Sequence, residues 1–261
     1  MQKLCLDVCM LTKQVGAFIK NERKKFSSDN IEVKGKNDFV SYVDKTSEKQ
    51  LIERLSVLLP EAGFIAEEGT STKKGDTYNW IIDPLDGTTN FIHGIPCFAI
   101  SIALMREKKI VLGVIYEINL DECFYAWEGS KAFLNEKEIR VSKTTTLADS
   151  LLATGFPYYD YERQDAYMDL LKYFMKHTRG IRRLGSAATD LAYVACGRFD
   201  GFYEYSLQAW DVAAGVFIVQ QAGGKVSDFK GGDNYIFGKE IVAGNSLCFL
   251  EFLNTVKTHF E

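Results

Sequence analysis

Hydrophobic residues recur at helical spacing at the start of the chain. Leu4, Val8, Leu11, Val15, Phe18 and Ile19 share one face before the charged run 21–25. A polar, basic turn region follows at 34–38 (KGKND). Leu51, Ile52, Leu55, Leu58 and Leu59 then predict a second helix that stops near Pro60. From Phe64 the rhythm changes. The run GFIAEEG (63–69) breaks into a loop at Glu67 and Glu68, and residues 79–83 predict a short apolar strand. Residues 98–117 read as two strands joined by a charged turn around 107–109, and the strand-rich pattern continues to about residue 142.

The second half alternates. SLLATGF (150–156) predicts a buried strand, 160–177 a helix, 186–195 a helix of small residues, 199–205 a strand and 210–222 a helix. Strands in GGKVSDF and KEIVAGN and an amphipathic helix over 247–259 complete the pattern. A helix-plus-antiparallel half followed by an alternating half predicts an α+β fold of layered elements. The expected division is an α+β half over 1–142, with most of the acidic motifs, and an α/β half over 143–261. No linker rich in Pro, Gly or Ser separates them, so the halves are expected to pack intimately, as one domain.

Composition narrows the function classes. The chain has 261 residues, 46% hydrophobic and 25% charged, which suits a globular protein with a sizeable core. A formal charge of −4 gives no support for a nucleic-acid partner. No apolar run is long enough to span a membrane. The start, MQKLCLDVCMLTKQ, carries Asp7 within its apolar stretch and lacks a cleavage site for secretion, so a cytoplasmic protein is expected. Six cysteines are scattered without a C-x-x-C pair, and Cys5 and Cys9 read as buried thiols on one helix face. Three histidines without paired spacing argue against a zinc site or a histidine triad.

The candidate chemistry lies in three acidic motifs. WIIDPLDGTTNF (80–91) places Asp83 and Asp86 around Pro84, with Gly87 immediately after. Pro84 biases Asp83 toward an extended conformation, so the strand is expected to end there and project that carboxylate. Leu85 can pack its side chain away and offer its carbonyl, while Gly87 permits a tight turn into a short helix whose N–H groups bind phosphate. WDVAAG (210–215) sets Asp211 at the start of a small-residue helix, and GFIAEEG supplies Glu67 and Glu68. Carboxylates gathered together require a cation, and all-oxygen ligands suit Mg²⁺. Plain readings compete at each place: an Asp-Pro turn, a helix cap at Asp211 or Asp44, a solvated Glu pair. EF-hand and P-loop spacings are absent.

Taken together, these motifs resemble the inositol monophosphatase family of Mg²⁺-dependent, lithium-sensitive phosphatases. The similarity runs from the Lys34–Asp44 region almost to the end, through GSAATD (185–190), FDGFYEY (199–205) and AGG (222–224). It implies a layered αβαβα sandwich of the inositol monophosphatase and sugar phosphatase type, assembled as a homodimer. By the same resemblance Glu67, Asp83 and the Leu85 carbonyl hold a first Mg²⁺, and Asp83, Asp86 and Asp211 a second. A third, weaker ion lies near Glu67, giving two to three ions per site. The Gly87 and Thr88 amides cradle the phosphate and Asp86 contacts the substrate; Asp44 and Thr88, with Glu67, prepare the attacking water; Ala187 and Glu204 contact the alcohol.

The implied reaction is metal-activated water attack on a small-molecule phosphate ester, with myo-inositol monophosphate as the leading substrate. Fructose-1,6-bisphosphatase, 3′(2′),5′-bisphosphate nucleotidase and histidinol-phosphatase activities are the alternatives within the superfamily. A non-catalytic regulatory protein that keeps the fold is the alternative from another class. A haloacid-dehalogenase phosphatase needs one residue between its acids, whereas Pro84 and Leu85 make two. Many inositol-specific members carry His before the W-D pair, and this chain has Gln208 in YSLQAWD. Arg179, Arg182 and Arg183 in TRGIRRLGS read as solvated residues on a strand edge, with a second-phosphate or partner-chain contact as the sharper alternative.

Overall fold

The computed structural model describes residues 1–25, 31–35, 38–157 and 160–261. Lys36 and Asn37 of the predicted 34–38 turn lie outside them, between the antiparallel strands β1 (Ile31–Gly35) and β2 (Asp38–Ser41). Helix α1 (Gln2–Lys25) buries Cys5, Val8, Leu11, Val15 and Ile19. The charged run forms its last turns, where Arg23, Lys24 and Lys25 complement the helix dipole. Helix α2 (Tyr42–Leu58) ends two residues before Pro60, whose ring disfavours helical backbone in the residue before it.

Both helices pack on one face of a seven-stranded sheet. Its strands follow chain order: β3 (Gly63–Ala66), β4 (Tyr78–Asp86), β5 (Ala99–Arg106), β6 (Lys109–Glu117), β7 (Glu122–Trp127), β8 (Ala132–Leu134) and β9 (Lys137–Ile139). Only the β3–β4 pair is parallel. The short helix α3 (Thr88–His93) links β4 to β5.

A second sheet contains β10 (Leu151–Thr154), β11 (Gly180–Arg182), β12 (Gly201–Tyr205), β13 (Lys225–Ser227) and β14 (Glu240–Gly244), in the order β11-β10-β12-β14-β13. Helix α4 (Gln164–His177) and helix α7 (Phe249–Phe260) cover its outer face. Helix α4 starts four residues later than the periodicity predicts. Asp160 accepts a bond from the Glu162 N–H at 3.0 Å, and that local turn competes with helix.

Between the sheets lie α5 (Ala187–Ala195) and α6 (Ala209–Gln221), so the layers run α-β-α-β-α. A helix buried on all sides must be apolar all round, and small residues let it approach a sheet closely. Small residues predominate in both, Ala187, Ala188, Ala192 and Ala195 on α5 and Ala213, Ala214 and Gly215 on α6, and the buried polar exceptions on α5 are Thr189 and Asp190. None of the described helices is long and apolar enough to cross a membrane.

The closeness of α6 to β6 is testable. A Cβ on Gly113 would stand 2.7 Å from the Ala214 carbonyl oxygen, and a helix backbone cannot swing aside like a side chain. Gly113→Ala should destabilise the chain by about 1–3 kcal/mol, read as a lower urea midpoint at unchanged m value. An unchanged midpoint would mean that the interlayer spacing is slack.

Candidate active site

The site begins with an irregularity in β4. Along this strand Ile81 faces the layer between the sheets, while Trp80 and Ile82 face α1 and α2. Strict alternation would place Asp83 with Ile81 but Asp86 on the opposite face. Pairing with β5 shifts instead: Asp83 lies opposite Ser101 and Asp86 opposite Ala99, so three steps on β4 match two on β5. The extra residue is a β-bulge at Pro84–Leu85, where proline's missing N–H is tolerated. It sends the Leu85 side chain into the core beneath α1 and α2 and puts both aspartates on the interlayer side. The expected strand end at Asp83 is therefore corrected, since β4 runs to Asp86 through the bulge. Its β5 partners keep the strand going past Pro84.

Gly87 follows in left-handed backbone, φ 93°, as N-cap of α3. A Cβ there would meet the Cys97 and Gly185 carbonyls at 3.0 and 3.3 Å, so both conformation and space require glycine. Thr88 Oγ1 stands 3.0 Å from Asp44 Oδ1 and 3.0 Å from the Leu85 carbonyl oxygen. Its single proton serves one acceptor at a time. Asp44, buried in the first turn of α2, is thus brought to Thr88 across 44 residues of sequence.

Asp86 Oδ2 accepts from Ser186 Oγ and from the Ala188 N–H, each at 2.7 Å, at the start of α5. Asp211 is not the cap of α6. Gln208 holds that position, and Asp211 closes a capping box by accepting the Gln208 N–H at 2.7 Å. Glu67 lies on the turn after β3, its N–H donating to the Ile82 carbonyl at 3.2 Å.

Three residues that sequence reasoning did not single out belong to the site, and two of them hold its parts in place. Glu48, fully buried one helical turn beyond Asp44, accepts from the Glu68 N–H at 2.7 Å and from Thr70 N–H and Oγ1 at 2.8 and 2.7 Å. It ties down the loop that carries Glu67. The only signal in the sequence is its i,i+4 spacing from Asp44. Asn90 donates to the Cys97 and Leu184 carbonyls at 2.7 and 2.8 Å, joining the α3 loop to the segment before α5. Asp190, 1% exposed, lines the same cavity.

The cavity measures about 850 Å³, and Glu67, Asp83, Leu85, Asp86, Gly87, Thr88, Ala187, Glu204, Gln208 and Asp211 all line it. Arg183 lines it too, over the Phe156 ring at 5.2 Å; burial raises Asp86, Asp190 and Glu204 above the usual carboxylate range, and the charge of Arg183 opposes that rise. That corrects the reading of Arg183 as a solvated edge residue. Arg182 is exposed on β11, and Arg179 pairs with exposed Asp149 at 3.0 Å, so for those two the plain reading stands.

Electrostatics mark the cavity as short of positive charge. Burial drives Asp83 well above the usual carboxylate range, and Glu67, Asp86 and Asp211 add to the effect. Burial pushes Asp86 up to about 6, against the bonds from Ser186 and the α5 amides. Asp211 rises to about 7 through burial and the charge of Asp86. Among the described residues no three His, Cys, Asp or Glu side chains already stand together as a closed metal cage. The acids instead surround the cavity and act on one another through space. An all-oxygen set with uncompensated charge fits a hard divalent cation.

The sequence profile of the inositol monophosphatase family matches residues 4–258. An inositol-1-monophosphatase of Mesorhizobium japonicum is 43% identical over 228 residues, covering 87% of this chain and 86% of that protein. A Pseudomonas aeruginosa protein named Nus factor SuhB is 39% identical over 264 residues, covering 99% and 97%. The crystal structure of extragenic suppressor protein suhB from Bartonella henselae superposes with a TM-score of 0.91 at 42% identity, covering 96% and 97%. The chain belongs to the inositol monophosphatase family and is a phosphoric monoester hydrolase.

Two outcomes are expected from this geometry. Asp86 and Asp211 hold their protons more tightly in the folded chain than in the unfolded one, where aspartate titrates near about 4. Stability from this source is complete below that value and is lost as pH rises through about 6 and about 7. In chelator, Tm should fall between about pH 5 and about pH 8. Asp211→Asn keeps an acceptor for the Gln208 N–H but has no proton to lose, so its Tm should fall less steeply. A slope equal to that of the unaltered chain would remove Asp211 as a source. Glu48→Gln turns an acceptor into a donor facing N–H groups; it should lower Tm and weaken Mg²⁺ binding in calorimetry. Unchanged Mg²⁺ affinity would show that the 67–70 loop stands without it.

Proposed function

We propose that the chain hydrolyses the phosphate ester of a polyol, with myo-inositol monophosphate as the leading substrate, using Mg²⁺ held by its acidic cavity. The observation that carries this reading is the convergence of Asp83, Asp86 and Asp211 on one cavity that Gly87, Thr88 and Glu204 also line. Glu67, Asp83, the Leu85 carbonyl, Asp86 and Asp211 would hold two to three ions. Bound Mg²⁺ supplies Lewis-acid polarisation of the phosphoryl oxygens and offsets charge on the leaving oxygen.

The remaining roles belong to the chain itself. The first N–H groups of a helix have no acceptor within it, so those of Gly87 and Thr88 are available to phosphoryl oxygens. With its proton given to Asp44, Thr88 Oγ1 keeps lone pairs for a proton of the attacking water, and the Thr88–Asp44 pair relays that proton away. Water oxygen forms the new bond to phosphorus as the ester oxygen leaves. Ala187 walls the alcohol side, and Glu204 accepts hydrogen bonds from its hydroxyls. Asp190 and Glu204 line the cavity together with Arg183; burial raises the proton affinity of both acids, so they meet a substrate as hydrogen-bonding groups suited to the hydroxyls of a polyol.

Several relatives bear the name Nus factor SuhB, which supports a second, regulatory role beside hydrolysis. A cellular phenotype that survives Asp83→Asn would separate the two. The resemblance also supports a homodimer inhibited by lithium, and to this reading we add a cytoplasmic location and the division into halves near residue 142 expected from the strand pattern. Light scattering, a lithium titration against Mg²⁺ and fractionation test the first three in turn.

The decisive experiment is phosphate release from myo-inositol monophosphate, fructose-1,6-bisphosphate, a 3′,5′-bisphosphate nucleotide and histidinol phosphate, with Mg²⁺ and with chelator. Activity should be greatest on the first and vanish with chelator. Thr88→Ala should lower kcat by about 10²–10⁴-fold at unchanged Mg²⁺ half-saturation, whereas Asp83→Asn should weaken Mg²⁺ binding itself. Strong turnover by Asp83→Asn at ordinary Mg²⁺ would end the metal assignment.

A further inference from the structure

We propose that Gly155 is a positioning residue that seats the Glu204 carboxylate, and through it sets how tightly the site holds the hydroxylated alcohol of its substrate. The proposal rests on the reading of Glu204 given above. Gly155 immediately follows β10, which pairs in parallel with β12, Thr154 lying opposite Tyr203. Glu204, 6% exposed, is the next residue on β12 and lines the cavity. A Cβ built on Gly155 would overlap the Glu204 carboxylate carbon and both of its oxygens. The carboxylate therefore lies flat against the bare Cα of Gly155.

Two facts make this contact more than close packing. The backbone of Gly155 does not adopt the left-handed conformation that demands glycine, so the requirement comes from the space Glu204 occupies. That backbone also cannot retreat. The Gly155 carbonyl accepts from Tyr167 Oη at 2.8 Å, and Thr154 Oγ1 lies 2.9 Å from the same hydroxyl while donating to the Tyr203 carbonyl at 2.7 Å. These groups are buried, so a methyl group at 155 is relieved only by moving the carboxylate. Displacing it weakens its hydrogen bonds to the alcohol and leaves the phosphate end of the cavity untouched.

The test compares myo-inositol 1-phosphate with p-nitrophenyl phosphate, whose leaving group carries no aliphatic hydroxyl. Gly155→Ala should lower the polyol-to-aryl ratio of kcat/KM by about tenfold or more, the scale of one charge-assisted hydrogen bond. The loss should sit in KM. In a Glu204→Ala background the three atoms nearest the new methyl are gone, and Gly155→Ala should then change the ratio by less than about twofold. An equal loss in both backgrounds would make Gly155 a structural residue and overturn the proposal alone. A Glu204→Ala ratio no different from that of the unaltered chain would overturn the reading of Glu204 and the proposal with it. If Gly155→Ala folds poorly, Tm decides: recovery in the double variant supports the contact, and no recovery refutes it.

Discussion

Negative charge gathered in a partly dehydrated cavity is the constraint from which the rest of this structure follows. An ionised carboxylate taken out of water is destabilising by several kcal/mol unless hydrogen bonds or a counter-charge compensate. The chain compensates largely with backbone N–H groups. Asp83 accepts the Leu85 N–H at 2.9 Å, Asp86 takes an amide of α5, and Asp211 takes the N–H of its own cap residue. These partial charges hold each side chain in place while leaving the net charge of the cavity negative. A lysine or arginine salt-bridged to each acid would orient it as well, but would cancel the charge that attracts a cation. Asp83, Asp86 and Asp211 accordingly keep raised proton affinities in the metal-free chain.

Holding like charges together requires a rigid frame, and the five layers supply it. The acids come from elements that meet only in the folded chain: β4 from the first sheet, α6 from the layer between the sheets, and α2 from the outer layer. Asp86 bridges to Ser186 and Ala188, and Asn90 to Leu184, so the two halves of the sequence are bonded to each other beside the charges. The small residues of α5 and α6 bring the sheets close enough for those bonds to form.

How legible the site was in the sequence depended on how local its causes were. Turn chemistry is local, so the Asp-Pro-Leu-Asp-Gly run announced a backbone that exposes two acids and a carbonyl before a short helix. The bulge was not legible, because whether a strand ends or continues past Pro84 is decided by Ala99 and Ser101 on the neighbouring strand. Glu48 bonds to residues 20 and 22 positions away and Asn90 to one 94 positions away. Neither partner is implied by its flanking sequence. Arg183 sits among three arginines that look alike in one dimension, and only the edge position of β11 separates the two facing solvent from the one facing the cavity.

The same separation of causes divides the site into two ends with different freedom to vary. The part proposed to bind phosphate is over-determined: Thr88 stands within reach of both Asp44 and the Leu85 carbonyl, Gly87 has no room for a side chain, and the bulge must stay in register for both aspartates to share a face. A change in any one disturbs the others. The part proposed to meet the alcohol draws single side chains from separate elements: Glu204 on β12, Arg183 beyond β11 and Gln208 at the start of α6. Glu204 and Arg183 belong to segments that carry none of Asp83, Asp86 and Asp211, whereas Gln208 caps the helix of Asp211. A fold arranged this way can keep one chemistry while its alcohol preference changes, so the acidic motifs identify the reaction more firmly than the ester. The polyol reading therefore rests on the hydrogen-bonding groups proposed to meet the alcohol, Glu204 first among them.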